Sequence, residues 1–287
     1  MSIAKKALVT GGERGIGKGI VLCLAEAGYD IATTYLFDEE EAASIEKEVK
    51  ALGRRSFVYQ ASLEKTEVVE SLVKKVTADL GGLDLLVNNA GMKAPRNMIY
   101  NTTTEEIDMI FSVNFRAYMI LMREASRYMM KHGTPGNIIN ISSLSAGRSF
   151  PIFSLYGGLK AAVDRATKDI ALELAPYGIR VNSILPGAII VRNYEESIRD
   201  NISAEDIEDR DKLAKKIPLQ RLGTPLDIGK AVVWMTSEDA SYITGVNLCV
   251  DGGLRLPGMP EKRPRSDDTD FGWSFMKYLG EEDMKDW

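Results

Sequence analysis

The sequence predicts an α/β fold in which one doubly wound domain is built on a seven-stranded, mostly parallel sheet with helices on both faces. Short runs of strand-forming residues recur along the chain and are apolar throughout, which is typical of parallel strands buried on both faces. Helical segments with apolar residues at 3.6-residue spacing separate these runs, and right-handed crossovers would place them on both sides of the sheet. The predicted strands are 6–10, 30–35, 56–60, 83–89, 136–142, 179–185 and 247–251.

The helical segments are bounded by glycines. The first helix is predicted to start near Gly15 and to end at Gly28, and a second pattern covers 64–80 before a Gly-Gly pair. Two further helices are predicted at 104–131 and 156–175. They carry more apolar residues than one buried face requires, which suggests that they also meet a second subunit.

Length and composition fit one domain followed by a tail. The chain has 287 residues, of which 45% are hydrophobic, enough for a large core. We predict a single domain over 1–254, because the composition then changes to a proline-rich, charged stretch followed by an aromatic-rich one. A solvated tail should be poor in aromatic residues. The tail, 255–287, is therefore expected to pack on the domain or on a neighbouring subunit.

Charge and residue counts exclude several classes of protein. The net charge is −5 and there is no long basic run, so nucleic acid is not an expected partner. No stretch reaches membrane-spanning length and the N-terminus lacks a signal-peptide apolar region, which favours a cytoplasmic protein with no membrane partner. Cys23 and Cys249 are interpreted as buried, reduced thiols, and the lone His132 as a solvated residue. No metal site and no histidine-dependent triad is expected.

The segment TGGERGIG, residues 10–17, follows the first strand and opens the first helix. Its spacing is T-G-x-x-x-G-x-G, carried by Thr10, Gly11, Gly15 and Gly17. Glycines let a ligand approach the backbone closely, and a helix N-terminus offers unpaired N–H groups and a positive dipole end. The pyrophosphate of a dinucleotide fits this description. The alternative interpretation is a glycine-rich turn without a ligand.

Five further motifs fall at predicted strand ends or in the flanking helices. They are NNAG at 88–91, VN at 113–114, INISSLSA at 139–146, YGGLK at 156–160 and PG at 186–187. In order and spacing, over about residues 4 to 254, the chain resembles the classical short-chain dehydrogenase/reductase family. It is similar to the glucose dehydrogenase and 3-oxoacyl-ACP reductase branches. The resemblance implies a Rossmann-fold oxidoreductase that transfers a hydride between a carbonyl or alcohol substrate and a nicotinamide cofactor.

Four residues are predicted to be catalytic. The phenol of Tyr156 is the candidate acid/base, and Lys160, one helical turn further on, should lower its pKa from about 10. The resemblance implies that Ser143 hydrogen-bonds the substrate oxygen and that Asn114 holds a water molecule linked to the lysine. An alternative for Asn114 is a helix-interior side chain that bonds to the backbone.

Cofactor choice depends on the end of the second strand. NAD-specific relatives carry an Asp there, whereas this chain has Tyr35, and Arg14 is placed to bind a 2′-phosphate. NADP(H) is therefore favoured, and Asp38 keeps NAD(H) possible.

The chain departs from the family pattern in three places. Val191 replaces a Thr, Ser62 replaces an Asp, and Gly157-Gly158-Leu159 separates the tyrosine from the lysine. The predicted cofactor contacts are Thr10, Gly11, Arg14, Gly15, Ile16, Gly17, Tyr35, Ser62, Leu63, Asn89, Ala90, Gly91, Tyr156, Lys160, Pro186, Gly187 and Ile189.

The substrate pocket is expected to have an apolar wall. Its predicted lining residues are Ser145, Phe150, Phe153, Ile190 and Tyr194. The predicted function is the reversible, NADP-preferring reduction of a ketone, with keto-steroids, polyphenolic ketones, acyl thioesters and sugars all open as substrates. Alternatives are a sugar dehydrogenase that uses NAD or NADP, and a non-catalytic dinucleotide-binding regulatory protein. The resemblance further implies a homodimer or a homotetramer.

Overall fold

The computed structural model describes residues 4–92, 98–150, 152–191 and 211–256. In it, seven strands form one sheet in which every neighbouring pair is parallel. The predicted fold class is confirmed, and each strand begins and ends within two residues of its predicted bounds. The strands are β1 (Lys6–Val9), β2 (Asp30–Tyr35), β3 (Ser56–Gln60), β4 (Leu85–Asn88), β5 (Asn137–Ile141), β6 (Arg180–Pro186) and β7 (Asn247–Val250).

The strand order is β3-β2-β1-β4-β5-β6-β7. The chain therefore winds from β1 to one edge, returns to the centre at β4, and winds to the other edge at β7. In sheets of this type, ligands bind in the crevice where the winding direction changes, at the carboxyl ends of the strands. Here that crevice lies above β1 and β4.

Seven α-helices lie entirely within the described residues: α1 (Gly15–Glu26), α2 (Glu39–Ala51), α3 (Thr66–Leu80), α4 (Thr104–Phe111), α5 (Ala117–His132), α6 (Ser154–Leu174) and α7 (Pro225–Thr236). The prediction of one continuous helix over 104–131 is wrong. A π-helical turn at Ser112–Arg116 separates α4 from α5. Its sequence, SVNFR, contains no glycine or proline that would have signalled the break. Such turns are frequent at functional sites, and this one contains Asn114.

Helices cover both faces of the sheet. Successive residues of a strand point to opposite faces, so Leu8 belongs to one core cluster while Ala7 and Val9 belong to the other. Helices α3, α5 and α6 pack on the Leu8 face, and α1, α2 and α7 pack on the opposite face. Because all neighbouring strands are parallel, their carboxyl ends lie at one edge of the sheet, between the two helical layers.

Helices α1 and α7 are in backbone contact through two glycines. A Cβ on Gly19 would lie 2.5 Å from the backbone of Pro225, and a Cβ on Gly229 would collide with the carbonyl oxygen of Gly19. Because neither glycine has a side chain, α7 lies directly against the helix that begins at the glycine loop.

The expectations about single side chains have mixed outcomes. Cys23 is buried and free, as expected, but Cys249 is only partly buried, with its Sγ 2.7 Å from Nη1 of Arg255. His132 is exposed and stacks on Tyr128. Among the helices of the described residues, none is long and apolar enough to span a bilayer. Most of the predicted tail, 257–287, lies outside the described residues.

Candidate active site

The glycine loop has the backbone geometry that its spacing predicts. Gly11 and Gly15 have φ values of +64° and +54°, a conformation that side chains other than glycine rarely adopt. A Cβ on Gly17 would collide with the carbonyl oxygen of Gly11. The three glycines are therefore required for the loop to turn into α1.

Hydrogen bonds fasten this loop to the end of β4. The Thr10 hydroxyl accepts the backbone N–H groups of Asn89 and Ala90, both at 3.0 Å. The Asn89 side chain donates in return to the carbonyl oxygens of Thr10 and Gly11, both at 2.9 Å. Thr10 is fully buried, so the side chains of Thr10 and Asn89 shape the loop. Gly91 follows them at the open edge of the crevice.

The N-terminus of α1 fits a dinucleotide pyrophosphate. Arg14 provides no side-chain cap, and no acidic residue lies in the first turn, where Ile16 follows Gly15. The positive end of the helix dipole and its first N–H groups therefore remain suited to an anion. The glycines allow the close approach that two phosphates require.

The end of β2 carries the residues expected to read the adenosine ribose. Tyr35 is partly buried, and the Arg14 side chain is 66% exposed. Ser62 and Leu63 follow β3 beside them, where the Ala61 N–H donates to the Tyr35 carbonyl oxygen at 2.9 Å. Sequence analysis overlooked Glu13. Its side chain is only 9% exposed, and a carboxylate directly before Arg14 was the signal available.

The segment after β6 closes the crevice from the other side. At its start, Gly187 follows Pro186 with its N–H donating to the Val250 carbonyl oxygen at 3.0 Å. Ile189 then pairs with Gly223 in an isolated parallel bridge. Val191 reaches back to the glycine loop, because a Cβ on Gly15 would lie 3.5 Å from the Val191 side chain. The predicted cofactor residues of β1, β4 and β6 therefore surround one crevice.

Ser143 and Tyr156 lie together beside this crevice. Ser143 caps a 3₁₀ turn, Leu144–Ala146, and its Oγ accepts the Ser145 N–H at 3.1 Å and the Ser145 hydroxyl at 2.8 Å. Tyr156 stands in the first turn of α6. Burial raises the pKa of the Tyr156 phenol, and its hydrogen bond with Ser143 opposes that rise.

Lys160 is buried, with 3% of the residue exposed. Its Nζ donates to the Ile141 carbonyl oxygen at 2.7 Å and to the Tyr118 hydroxyl at 3.3 Å, and it lies 5.8 Å from the centre of the Tyr156 ring. Burial lowers the pKa of Lys160 to about 8, while the Asp164 carboxylate opposes this shift.

The electrostatics of this pair differ from the expectation. Sequence analysis predicted that the Lys160 ammonium would lower the pKa of Tyr156, whereas burial raises that pKa. The physical reason is that burial dominates the phenol, while the Lys160 ammonium donates to the Ile141 carbonyl oxygen. Tyr118, fully buried beside Lys160, was also overlooked, since an aromatic residue at helical spacing is more often part of the core.

Asn114 lies inside the π-helical turn and is fully buried. Its Oδ1 accepts the Met92 N–H and its Nδ2 donates to the Met92 carbonyl oxygen, both at 2.9 Å. The side chain is therefore bonded to the backbone, as the alternative interpretation expected. A Cβ on Gly91 would lie 3.3 Å from Asn114 Oδ1 and 3.8 Å from Lys160 Nζ, so both residues face the same point.

The predicted substrate residues are placed only in part. Phe150, Phe153 and Tyr156 form a row of rings with centroid distances of 5.8 and 6.2 Å. Ser145 and Ile190 are partly buried nearby, whereas Tyr194 lies outside the described residues. The three rings form one apolar surface next to Tyr156. Arg148 lies over the Phe150 ring and donates to the Leu254 carbonyl oxygen at 2.7 Å.

Comparison with known proteins assigns a chemistry to this arrangement. The chain matches the family described as Enoyl-(Acyl carrier protein) reductase over residues 11–255. It is 36% identical to the 3-oxoacyl-(acyl-carrier-protein) reductase FabG of Staphylococcus aureus (strain Mu50), over 89% of this chain and 100% of the relative. It is 32% identical to Glucose 1-dehydrogenase 2 of Bacillus subtilis (strain 168), over 88% of this chain and 95% of the relative.

A solved structure agrees with these relatives. The crystal structure of acetoin dehydrogenase YohF from Salmonella typhimurium superposes with a TM-score of 0.80 at 33% identity, covering 90% of this chain and 98% of that one. The three names give one class of chemistry, oxidation and reduction, with three different substrates.

Proposed function

Since this chain belongs to the short-chain dehydrogenase/reductase family and is an NAD(P)-dependent oxidoreductase acting on CH–OH and C=O groups, we propose that it reduces a ketone to a secondary alcohol and prefers NADPH. The observation that carries this proposal is the cluster of Ser143, Tyr156 and Lys160 beside the crevice of the glycine loop. A non-catalytic dinucleotide-binding protein, the third candidate function, has no need of this cluster.

In this proposal Tyr156 donates the proton to the carbonyl oxygen. A raised pKa keeps the phenol protonated at neutral pH, which suits a proton donor in the direction of reduction. The Ser143 hydroxyl, already at hydrogen-bonding distance from its neighbours, holds the substrate oxygen next to the phenol. When bound, the nicotinamide cofactor supplies the hydride.

Lys160 and Asn114 assist the proton donor, one by exchanging a proton and the other by positioning. With a pKa of about 8, Lys160 is able to exchange a proton near neutral pH after Tyr156 has given its own. We assign Asn114 to positioning, because the oxygen and the nitrogen of its side-chain amide both bond to the Met92 backbone, at the point where Gly91 and Lys160 meet. A water molecule at that point would connect the lysine to solvent.

The preference for NADPH is supported by charge. Arg14 extends into solvent at the adenosine end of the crevice, and β2 ends in Tyr35 without a carboxylate. An exposed guanidinium is well suited to a 2′-phosphate. NAD(H) remains the second cofactor, with Asp38 as the nearest acid after β2.

The row of Phe150 and Phe153 favours an apolar ketone over a sugar. The second candidate is a sugar dehydrogenase that uses NAD or NADP, favoured by the identity to Glucose 1-dehydrogenase 2. The two candidates differ in what the pocket must bury next to the carbonyl carbon. For an apolar ketone it buries apolar carbons, and for a sugar it buries hydroxyl groups. A panel of keto-steroids, polyphenolic ketones, acyl thioesters and sugars with both cofactors separates them.

The proposal includes assembly as a homodimer or a homotetramer. Helices α5 and α6 form a groove of about 380 Å³ lined by Met119, Ile120, Ile170 and Leu174 among others. Sequence analysis expected Met119, Met122, Tyr128, Met129, Val163 and Ile170 to meet a second subunit, but Met122, Met129 and Val163 are core residues instead. Light scattering that shows only monomer at micromolar concentration would contradict assembly.

Truncation after Gly258 tests the proposed packing of the tail on the domain or on a neighbouring subunit. The truncated protein should assemble more weakly or have a changed KM.

Tyr156→Phe tests the chemistry. The variant lacks only the hydroxyl, so turnover of every ketone in the panel should be lost while the Kd for NADPH stays within a few-fold of the wild type. Turnover is followed by NADPH absorbance, and binding by NADPH fluorescence. A variant that keeps substantial activity removes Tyr156 from the role of proton donor.

A further inference from the structure

The glycine loop holds a buried acid, Glu13, that the chemistry above does not use. Its side chain is 9% exposed, and its Oε2 is buried with no hydrogen-bond partner among the described residues. The Nε of Arg14 lies 3.8 Å from Oε1, which is too far for a hydrogen bond. A buried carboxylate oxygen without a donor is unfavourable. Oε2 of Glu13 therefore lacks a donor that a ligand could supply.

Glu13 lies at the adenosine end of the crevice. The loop contacts the end of β2, because the Gly11 N–H donates to the Thr34 hydroxyl at 3.0 Å and the Gly12 N–H to the Thr34 carbonyl oxygen at 3.2 Å. Burial raises the pKa of the Glu13 carboxyl, and the charges of Asp38 and Glu41 act in the same direction. Asp38 ends the connection between β2 and α2, and Glu41 lies in the first turn of α2, where Asp38 accepts the Glu41 N–H at 3.0 Å as the helix cap. Glu13, which follows Gly12 directly, thus lies beside the end of β2.

The end of β2 is where NAD-binding sheets of this type place a carboxylate on the ribose hydroxyls. In this chain β2 ends in Tyr35, and the Asp38 carboxylate is already bonded as the cap of α2. Glu13 brings a carboxylate to this strand end from the glycine loop, which contacts Thr34 of β2. Ribose hydroxyls are neutral donors, which is what the unpaired oxygen lacks.

We infer that Glu13 determines cofactor specificity by accepting the adenosine ribose hydroxyls of NAD(H) and repelling the 2′-phosphate of NADP(H). This inference rests on the proposed dinucleotide site. Arg14 and Glu13, adjacent in the loop, therefore act in opposite directions on the two cofactors. The chain binds both, and the balance between these two side chains sets the preference.

The test is Glu13→Gln, which keeps the size of the side chain and removes its charge. The Kd values of NADH and NADPH are measured separately by the fluorescence of the bound nicotinamide, without substrate. The Kd for NADPH should fall and the Kd for NADH should rise, changing their ratio by about 10-fold, since a hydrogen bond to a charged group is being removed.

Two further variants make the result specific. Glu40→Gln removes one exposed charge from the first turn of α2 and should leave the ratio unchanged. Glu13→Asp keeps the charge on a shorter side chain, so it should continue to disfavour NADPH even if Glu13→Gln folds poorly. Circular dichroism checks that each variant is folded.

The outcomes separate this inference from the proposed function. If the wild type binds both cofactors and Glu13→Gln leaves the ratio of Kd values unchanged, Glu13 has no role in specificity, while the proposed reductase stands. An equal change in Glu40→Gln also overturns the inference, because any nearby charge would then suffice. A wild type that binds neither cofactor overturns both.

Discussion

Gly157→Ala and Gly158→Ala form a matched pair of perturbations directly beside the proposed proton donor. Both glycines lie within the helical part of α6, where alanine is favoured over glycine by about 1 kcal/mol. Their surroundings differ. A Cβ on Gly158 would meet nothing within 4 Å, whereas a Cβ on Gly157 would lie 2.8 Å from the carbonyl oxygen of Ser145.

The magnitudes follow from these contacts. Gly158→Ala should raise the free energy of unfolding by about 1 kcal/mol, or by about 2–4 °C in Tm. Gly157→Ala gains the same helix preference but overpacks a buried contact, which costs about 1–3 kcal/mol. Its net change therefore lies between none and a loss of about 2 kcal/mol. Gly157 therefore serves close packing against Ser145, whereas the space beside Gly158 is open.

Urea denaturation of the ligand-free protein measures both values. Turnover supplies a second readout, because the 3₁₀ turn that contains Ser145 begins at Ser143. A small displacement of that turn should reduce kcat in Gly157→Ala, as reacting groups must be held to within fractions of an ångström. If Gly157→Ala is as stable as Gly158→Ala and equally active, the contact with Ser145 is not a constraint.

The remaining predictions concern charge. The pKa of Lys160 is about 8 in the folded protein and 10.5 in the unfolded chain. Between these pH values the unfolded state binds more protons than the folded state, so the stability of the wild type should rise with pH there. Lys160→Met should abolish that rise and should be more stable than the wild type at pH 7, by up to about 3 kcal/mol at about 1.36 kcal/mol per pH unit, while its turnover falls. Urea titrations from pH 7 to 10.5 that run parallel for the two proteins would contradict this. Arg14→Ala should weaken NADPH by about 10-fold or more, because a charge-assisted contact is worth about 1.5–3 kcal/mol, and leave NADH nearly unchanged. Fluorescence titrations that show equal losses would exclude Arg14 from binding the 2′-phosphate, and Tyr35→Asp should shift the preference toward NADH.

The sheet could be predicted from the sequence because its signals are local. Strand runs such as 30–35 and 56–60 are bounded by polar residues and glycines, and each pairs in parallel as expected. The glycine loop was predictable for the same reason, since residues other than glycine rarely adopt the φ values of Gly11 and Gly15. Spacing alone placed Tyr156 and Lys160 on neighbouring turns of one helix.

What the sequence could not predict depends on the environment of each side chain. The π-helical turn at Ser112–Arg116 has no sequence signal, and it is stabilised by tertiary contacts such as those between Asn114 and Met92. The pKa of Tyr156 depends on burial, and the hydrogen bond of Lys160 with Ile141 joins segments far apart in the sequence. Glu13 and Tyr118 were missed because their roles appear only once their neighbours are known.

The join between β1 and β4 has a consequence for how cofactor binding and folding are linked. The bonds that shape the glycine loop, such as that from the Asn89 N–H to the Thr10 hydroxyl, span 79 residues of sequence. Loop closure over such a length is entropically unfavourable and must be complete before the crevice exists. No fragment that ends before β4 can contain the site. A dinucleotide therefore binds only the folded protein, in which β1 and β4 are joined. A higher cofactor concentration should accordingly increase the free energy of unfolding by mass action.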